Sequence, residues 1–122
     1  MKAYKPLFKE SNNIVKNENE AMKIVNVSHL FWLPKRSVKE KTYIKAISSA
    51  GTLRLPTIQE IYSTYIKTEN LKMRYEFEWG FHWTSSTDPN GNIWIFKYPE
   101  GVAELVKPSR SQKYFATYVQ DV

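Results

Sequence analysis

Between Ile58 and Ile66 the apolar residues fall at Ile58, Ile61, Tyr62, Tyr65 and Ile66, the i, i+3, i+4, i+7, i+8 spacing of one buried helical stripe. Immediately upstream, Leu53-Arg54-Leu55-Pro56-Thr57 supplies the start signal. Pro56 biases Leu55 toward extended backbone, and Thr57 with Glu60 three residues on forms a capping box for the first free amides. A helix is therefore predicted from Ile58 to about Lys67, where Thr68-Glu69-Asn70 breaks it. Tyr43, Ala46, Ile47 and Ala50 repeat the stripe and end at Gly51, which predicts an earlier helix capped by Ser37 with Glu40 at the capping-box position.

The rest of the pattern is strand-like. Tyr75, Phe77 and Trp79 alternate with Glu76 and Glu78, the period of a half-buried strand with an aromatic and an acidic face. Strands are also predicted over Met22–Val27, Leu30–Leu33 (closed by Pro34), His82–Thr87, Ile93–Tyr98, Val102–Lys107 and Tyr114–Gln120. Asp88-Pro89-Asn90-Gly91 and Pro99-Glu100-Gly101 read as turns. Tyr4–Lys9 reads as an edge strand or arm, and Ser11–Glu20 as a polar loop. With no internal repeat or linker, residues 1–122 are expected to form a single domain.

Arg54-Leu55-Pro56-Thr57 followed by Trp83-Thr84-Ser85-Ser86 resembles the Lcl C-terminal-like domain, a bacterial and phage family of largely unknown function. In that family an Arg-Leu-Pro-Thr helix entry precedes a Trp-Ser-Ser strand. Leu30-Phe31-Trp32-Leu33-Pro34 is similar to its early Trp-containing strand, and Ile93-Trp94-Ile95-Phe96 to its next one. The likeness covers residues 28–122 and leaves 1–27 as an N-terminal strand or arm and loop. The family is related in fold to formylglycine-generating enzymes and C-type lectin-like domains. The resemblance thus implies an α+β, C-type lectin-like fold with two helices packed on small twisted antiparallel sheets; it speaks to fold more than to activity.

The 42% apolar and 15% aromatic content is enough to bury a core and offset the entropy of ordering. Zero cysteines remove disulfides, thiolate metal sites and cysteine nucleophiles together. The cysteine chemistry of formylglycine-generating enzymes and the disulfides of extracellular lectins therefore do not carry over. No run approaches the roughly 20 apolar residues that span a bilayer, and Met1-Lys2-Ala3-Tyr4-Lys5-Pro6 is not followed by a signal-peptide core. The expectation is a cytoplasmic product without membrane insertion, with signal-independent export or delivery into a host left open.

The net charge of +6 is uneven: residues 1–61 hold 11 Lys and Arg against 5 Glu, whereas residues 62–122 hold 7 against 7. Lys35, Arg36, Lys39, Lys41 and Lys45 would lie on or beside the first helix, as a basic patch for an acidic partner or as an ordinary solvated face; the solvated face outweighs the patch.

Candidate chemistry is sparse. His29 and His82 have no His or Cys at ligand spacing, so neither metal nor cofactor is expected. Ser85 and Ser86 lie too close to His82 along one strand for a triad, and hydroxyls satisfying backbone explain them better. Asp88-Pro89-Asn90 resembles the carboxylate-Pro-amide triplet through which C-type lectins hold calcium and sugar. Its completing carboxylate is missing, so a hairpin turn is the better reading. Arg54, between two apolar residues, should pair with a carboxylate such as Glu60.

Trp79, Phe81, His82, Asp88 and Asn90 remain as candidate partner-binding residues, with Trp79 and Phe81 beside Gly80 the leading pair. The expected function is non-catalytic recognition of a protein, or secondarily a glycan, as a small virulence or phage host-interaction factor. Nucleic-acid binding through the basic helix face is the alternative. A carboxylate enzyme built on Glu76 and Glu78 ranks last.

Overall fold

A computed structural model describes residues 13–71 and 77–122. In chain order the elements are β1 (Asn13–Ile14), α1 (Glu18–Ala21), β2 (Leu30–Trp32), a 3-10 turn (Lys35–Ser37), β3 (Lys39–Thr42), α2 (Tyr43–Ser48), α3 (Ile58–Leu71), β4 (Gly80–Thr87), β5 (Ile93–Tyr98), β6 (Val102–Val106), β7 (Lys113–Ala116) and β8 (Val119–Asp121). The architecture is α+β. One sheet runs β3-β7-β4-β5-β6, with β1 paired to β4, and a two-stranded ribbon joins β2 to β8.

The α3 entry forms as its sequence dictates. Thr57 N–H donates to Glu60 Oε1 at 2.9 Å and Glu60 N–H donates back to Thr57 Oγ1 at 3.1 Å, so both halves of the capping box are made. Ile58 and Ile61 are fully buried, while Tyr62 and Tyr65 pack against the same cluster from its margin. The helix continues past Lys67 to Leu71 because Thr68 turns its hydroxyl back onto the Tyr65 carbonyl at 2.8 Å, which keeps it compatible with the helix.

Strand β4 is the hub. On one side it pairs antiparallel with β5, from Gly80 opposite Tyr98 to Thr87 opposite Ile93. Its other edge is shared: β7 meets His82, β1 meets Ser86 and Thr87, and between them the Ser85 amide donates to the Pro56 carbonyl at 2.8 Å. Both faces of the sheet are buried. Trp94 and Phe96 of β5 pack with Ile58, Ile61 and Phe77, whereas Ile93 and Ile95 pack with Trp83, Tyr43 and Leu55 on the opposite side. Trp83 and Trp94 anchor these two layers through indole N–H bonds to the Lys41 carbonyl at 2.6 Å and the Val15 carbonyl at 2.8 Å.

Several expected elements differ. The helix capped by Ser37 is instead a 3-10 turn, then β3, then a short α2 capped by Thr42. Ser37 donates its hydroxyl to the Pro34 carbonyl at 2.8 Å, while Lys39–Thr42 are drawn into pairing with β7. The apolar stripe persists, with Tyr43 and Ala46 buried, but it starts one turn later than the capping pattern suggests. Met22–Val27 is not a strand: the Val25 amide is satisfied by Ser63 Oγ of α3 at 2.9 Å and joins no ladder. The polar stretch around Asn13–Glu20 carries β1 and α1, with Asn17 Oδ1 accepting from the Glu20 amide at 3.0 Å as the cap.

The predicted Tyr114–Gln120 strand is two strands in different sheets. Ala116, Thr117, Tyr118 and Val119 are consecutively buried as the chain crosses from one sheet to the other, which breaks the alternation. Phe77 and Glu78 precede β4 without being strand, and Phe77 is buried while Trp79 is exposed, so these residues do not share an aromatic face. Tyr4–Lys9, Tyr75 and Glu76, and with Glu76 the proposed carboxylate pair, lie outside the described residues.

The β5–β6 hairpin is locked onto α3 at Gly101, whose φ of 73° favours glycine and whose added Cβ would sit 2.6 Å from Tyr65 Cζ. Tyr65 Oη is itself held by a 3.0 Å bond donated to the Pro99 carbonyl. Gly101→Ala is expected to destabilise the fold by about 2 kcal/mol or more, combining left-handed strain with overpacking. Urea unfolding of the variant checks this, and an unchanged midpoint would remove the lock.

Candidate functional site

Sheet pairing assembles a row of side chains that no single segment contains. Val102 of β6 is opposite Lys97 of β5, Lys97 is opposite Phe81 of β4, the Phe81 ring lies 5.3 Å from the Tyr114 ring of β7, and Tyr114 is opposite Lys41 of β3. Five strands at about 4.8 Å spacing make this row roughly 19 Å long. It lies on the same sheet face as Trp83 and Ile95, beyond the part that α2 covers, so its members are half-buried or exposed. Lys97 Nζ sits 5.4 Å from the Phe81 ring centroid and Lys41 Nζ 5.5 Å from that of Tyr118, cation–π placements that set an ammonium at each side of the aromatic centre. Burial and the neighbouring Glu104 charge both push the Tyr114 phenol up from its ordinary range.

Trp79 lies just ahead of β4, two residues before Phe81 in the chain, and is 73% exposed. The backbone that carries it is fixed from within. Phe77 is buried against Trp32, Phe96, Tyr98 and the His82 ring. Gly80 takes φ 139° with the Phe115 ring directly over it. The Glu78 carbonyl lies 2.7 Å from His82 Nε2, and its carboxylate 3.8 Å from Lys35 Nζ. A carbonyl only accepts, so His82 carries its proton on Nε2 and Nδ1 accepts from the Thr117 hydroxyl at 2.7 Å. The indole is thus exposed next to backbone that is held from within.

His82 is thus interior rather than a surface contact, correcting its expected role: it is fully buried, and burial pushes its pKa down to about 4 although the bond to Glu78 opposes this. Asp88 is likewise occupied. Its Oδ1 accepts from the amides of Asn90 at 3.0 Å and Asn92 at 2.8 Å, and its Oδ2 from the Asn92 side chain at 3.1 Å. Burial pushes the Asp88 carboxyl up, but these bonds outweigh it and hold the group below the usual carboxylate range. The triplet is a hairpin turn in which Pro89 and Asn90 are exposed while Asp88 is buried.

The basic residues do not share a helix face. Lys35 and Arg36 lie in the 3-10 turn, Lys39 and Lys41 on β3, and Lys45 on α2, because β3 interrupts the expected helix. Ser86 Oγ accepts from the Ile58 amide at 2.8 Å and donates to Asn13 Oδ1, while Thr84 Oγ1 donates to the Trp94 carbonyl at 2.6 Å. These hydroxyls satisfy the crossing of β4 with the α3 entry, and neither ring nitrogen of His82 reaches them.

Arg54 borders a groove of about 520 Å³ lined in part by Thr52, Leu53, Thr57, Glu60 and Ser85. Its guanidinium is saturated: Nη1 and Nη2 donate to Glu60 Oε1 at 2.8 Å and Oε2 at 2.9 Å, Nε and Nη2 to Asp121 at 2.9 Å each, and Nη1 to the Leu55 carbonyl at 3.3 Å. The bonds it donates to Asp121 and then to Glu60 raise its pKa further. The expected pairing with Glu60 is present, and Asp121 is the partner that local reading missed.

Compared with protein-family models, curated proteins and solved structures, the chain matches none. Among the described residues no group of three or more His, Asp or Glu side chains is placed to hold a metal ion. No helix among them is long and apolar enough to cross a membrane.

Proposed function

We propose that this chain is a non-catalytic recognition domain that binds a protein partner through Trp79 and the adjoining Phe81–Tyr114 row. The observation that carries the reading is Trp79 itself, a tryptophan 73% exposed on backbone that His82, Phe77 and Gly80 hold still. Tryptophans of this kind are the commonest energetic anchors of protein interfaces, and pre-ordering lowers the entropy cost of docking. A glycan is the secondary ligand of the same surface.

The scaffold is read as C-type lectin-like and of the Lcl C-terminal-like type, from a bacterium or phage, acting as a host-interaction factor. Two features support it beside the Arg-Leu-Pro-Thr and Trp-Thr-Ser-Ser stretches. The β2–β8 ribbon sets Leu30 opposite Asp121, and α2 and α3 pack against opposite faces of a largely antiparallel sheet.

Immobilised wild-type protein is expected to capture a stoichiometric protein from host or producer lysate at physiological salt. Trp79→Ala should weaken that capture by about 30-fold or more while leaving thermal stability unchanged, since truncating an anchor costs about 2 kcal/mol or more of binding and the side chain is not core. Capture undiminished by Trp79→Ala overturns the assignment. Nucleic acid eluting only at low salt would replace it with the polyanion reading.

A further inference from the structure

The two ends of the six-stranded sheet are treated differently. One outer strand, β3, reads Lys39-Glu40-Lys41-Thr42, and charged side chains on an edge discourage another strand from pairing with it. The other, β6, reads Val102-Ala103-Glu104-Leu105-Val106, and no described residue pairs with its outer edge. Val102 is 42% and Leu105 41% exposed. They lie on opposite faces, since Val102 is aligned with Lys97 and Leu105 with Trp94. An added strand would therefore find apolar surface on both sides of itself.

We propose that the outer edge of β6 accepts an extended segment of a partner protein as a further antiparallel strand, with a lysine or arginine of that segment opposite Glu104. This deepens the protein-recognition reading and rests on it. Val102 continues the row through Lys97 to Phe81, so the added strand would lengthen that row by one strand.

Charge decides against a second copy as the occupant. Glu104 is exposed and has no ion-pair partner among the described residues. A two-fold pairing centred on the strand would set Glu104 against its own copy, and like charges directly opposite are destabilising. Registers shift by two residues to keep each face, and the neighbouring ones place Glu104 against Val102 or Val106, still without a cation. A partner segment reading apolar-apolar-basic-polar-apolar satisfies Val106, Leu105, Glu104, Ala103 and Val102 in turn. Backbone hydrogen bonds supply affinity in this mode, and the alternate side chains supply choice.

The test titrates the isotope-labelled full chain with a capped peptide Thr-Val-Leu-Lys-Thr-Val-Thr, following backbone amides by NMR. Perturbations centred on residues 102–106 are expected, about fivefold weaker for the peptide with Glu in place of Lys, and with that preference reversed in Glu104→Lys. Absence of perturbation at β6 at millimolar peptide, a preference that fails to reverse, or β6 shifts that follow protein concentration alone each overturn the proposal, the last in favour of self-pairing. Trp79→Ala should leave the peptide response intact. Retained peptide binding with a Trp79-independent partner would sink the Trp79 assignment and leave the edge standing.

Discussion

Arg54→Ala is expected to destabilise the protein by about 2–3 kcal/mol, lowering the melting temperature by roughly 10 °C. The guanidinium ties the approach to α3 and the capping residue Glu60, six residues on, to β8 through Asp121, sixty-seven residues away. Its removal leaves the Glu60 side chain, only 12% exposed, with its charge uncompensated. Breaking a fully buried pair costs more, about 3–5 kcal/mol, but Arg54 is 36% and Asp121 57% exposed, so solvent screens part of the loss. Arg54→Lys should recover less than half, because one ammonium cannot reproduce two bidentate carboxylate contacts. Urea unfolding of both variants measures this. A melting temperature within about 2 °C of wild type for Arg54→Ala would show the network to be energetically idle.

Acidification should remove about 3 kcal/mol of stability between pH 6.5 and 4 through His82 alone. Its folded pKa is depressed, chiefly by burial, to about 4 from an ordinary 6.5. Between those values the unfolded chain binds a proton that the folded chain refuses, so stability falls as pH drops through the window and levels off below it. The full contribution is present above pH 6.5. Asp121, held low by Arg54, and Asp88, held low against burial by its turn amides, lose their contributions only in more acidic solution, which keeps the His82 limb separate. Urea unfolding at pH 7, 5.5 and 4.5 should show this slope in wild type and lose it in His82→Gln. A flat wild-type profile, or an equal slope in the variant, contradicts the interior assignment.

The places where local reading succeeded share a cause. Thr57 and Glu60 satisfy each other across three residues, Asp88 closes its turn within four, and Ile93–Tyr98 is bounded by two turns whose residues fix their own backbone. Such interactions depend on little outside the segment, so sequence states them directly. Ser37 was an equally good cap on paper, yet Lys39–Thr42 became a strand because β7, more than seventy residues later, offers it a ladder. Tertiary pairing overrode a local preference worth about 1 kcal/mol.

The candidate site shows the same division. Trp79 and Phe81 stand out in the sequence because aromatics beside a glycine are conspicuous, but His82, the next residue after Phe81, is turned inward onto Thr117, thirty-five residues away. Lys97, Val102 and Tyr114 joined the row only when β5, β6 and β7 were set beside β4, and Glu104 became notable only once β6 proved to be an edge. By itself, the sequence determined the start of α3, the turns, the aromatic interior and the absence of thiol chemistry, since each follows from residue type or contacts within one turn. Which side chains face solvent, which carboxylates Arg54 joins and which strand edge no described residue pairs with were decided by the tertiary structure, because burial and strand order are properties of neighbours distant in the chain.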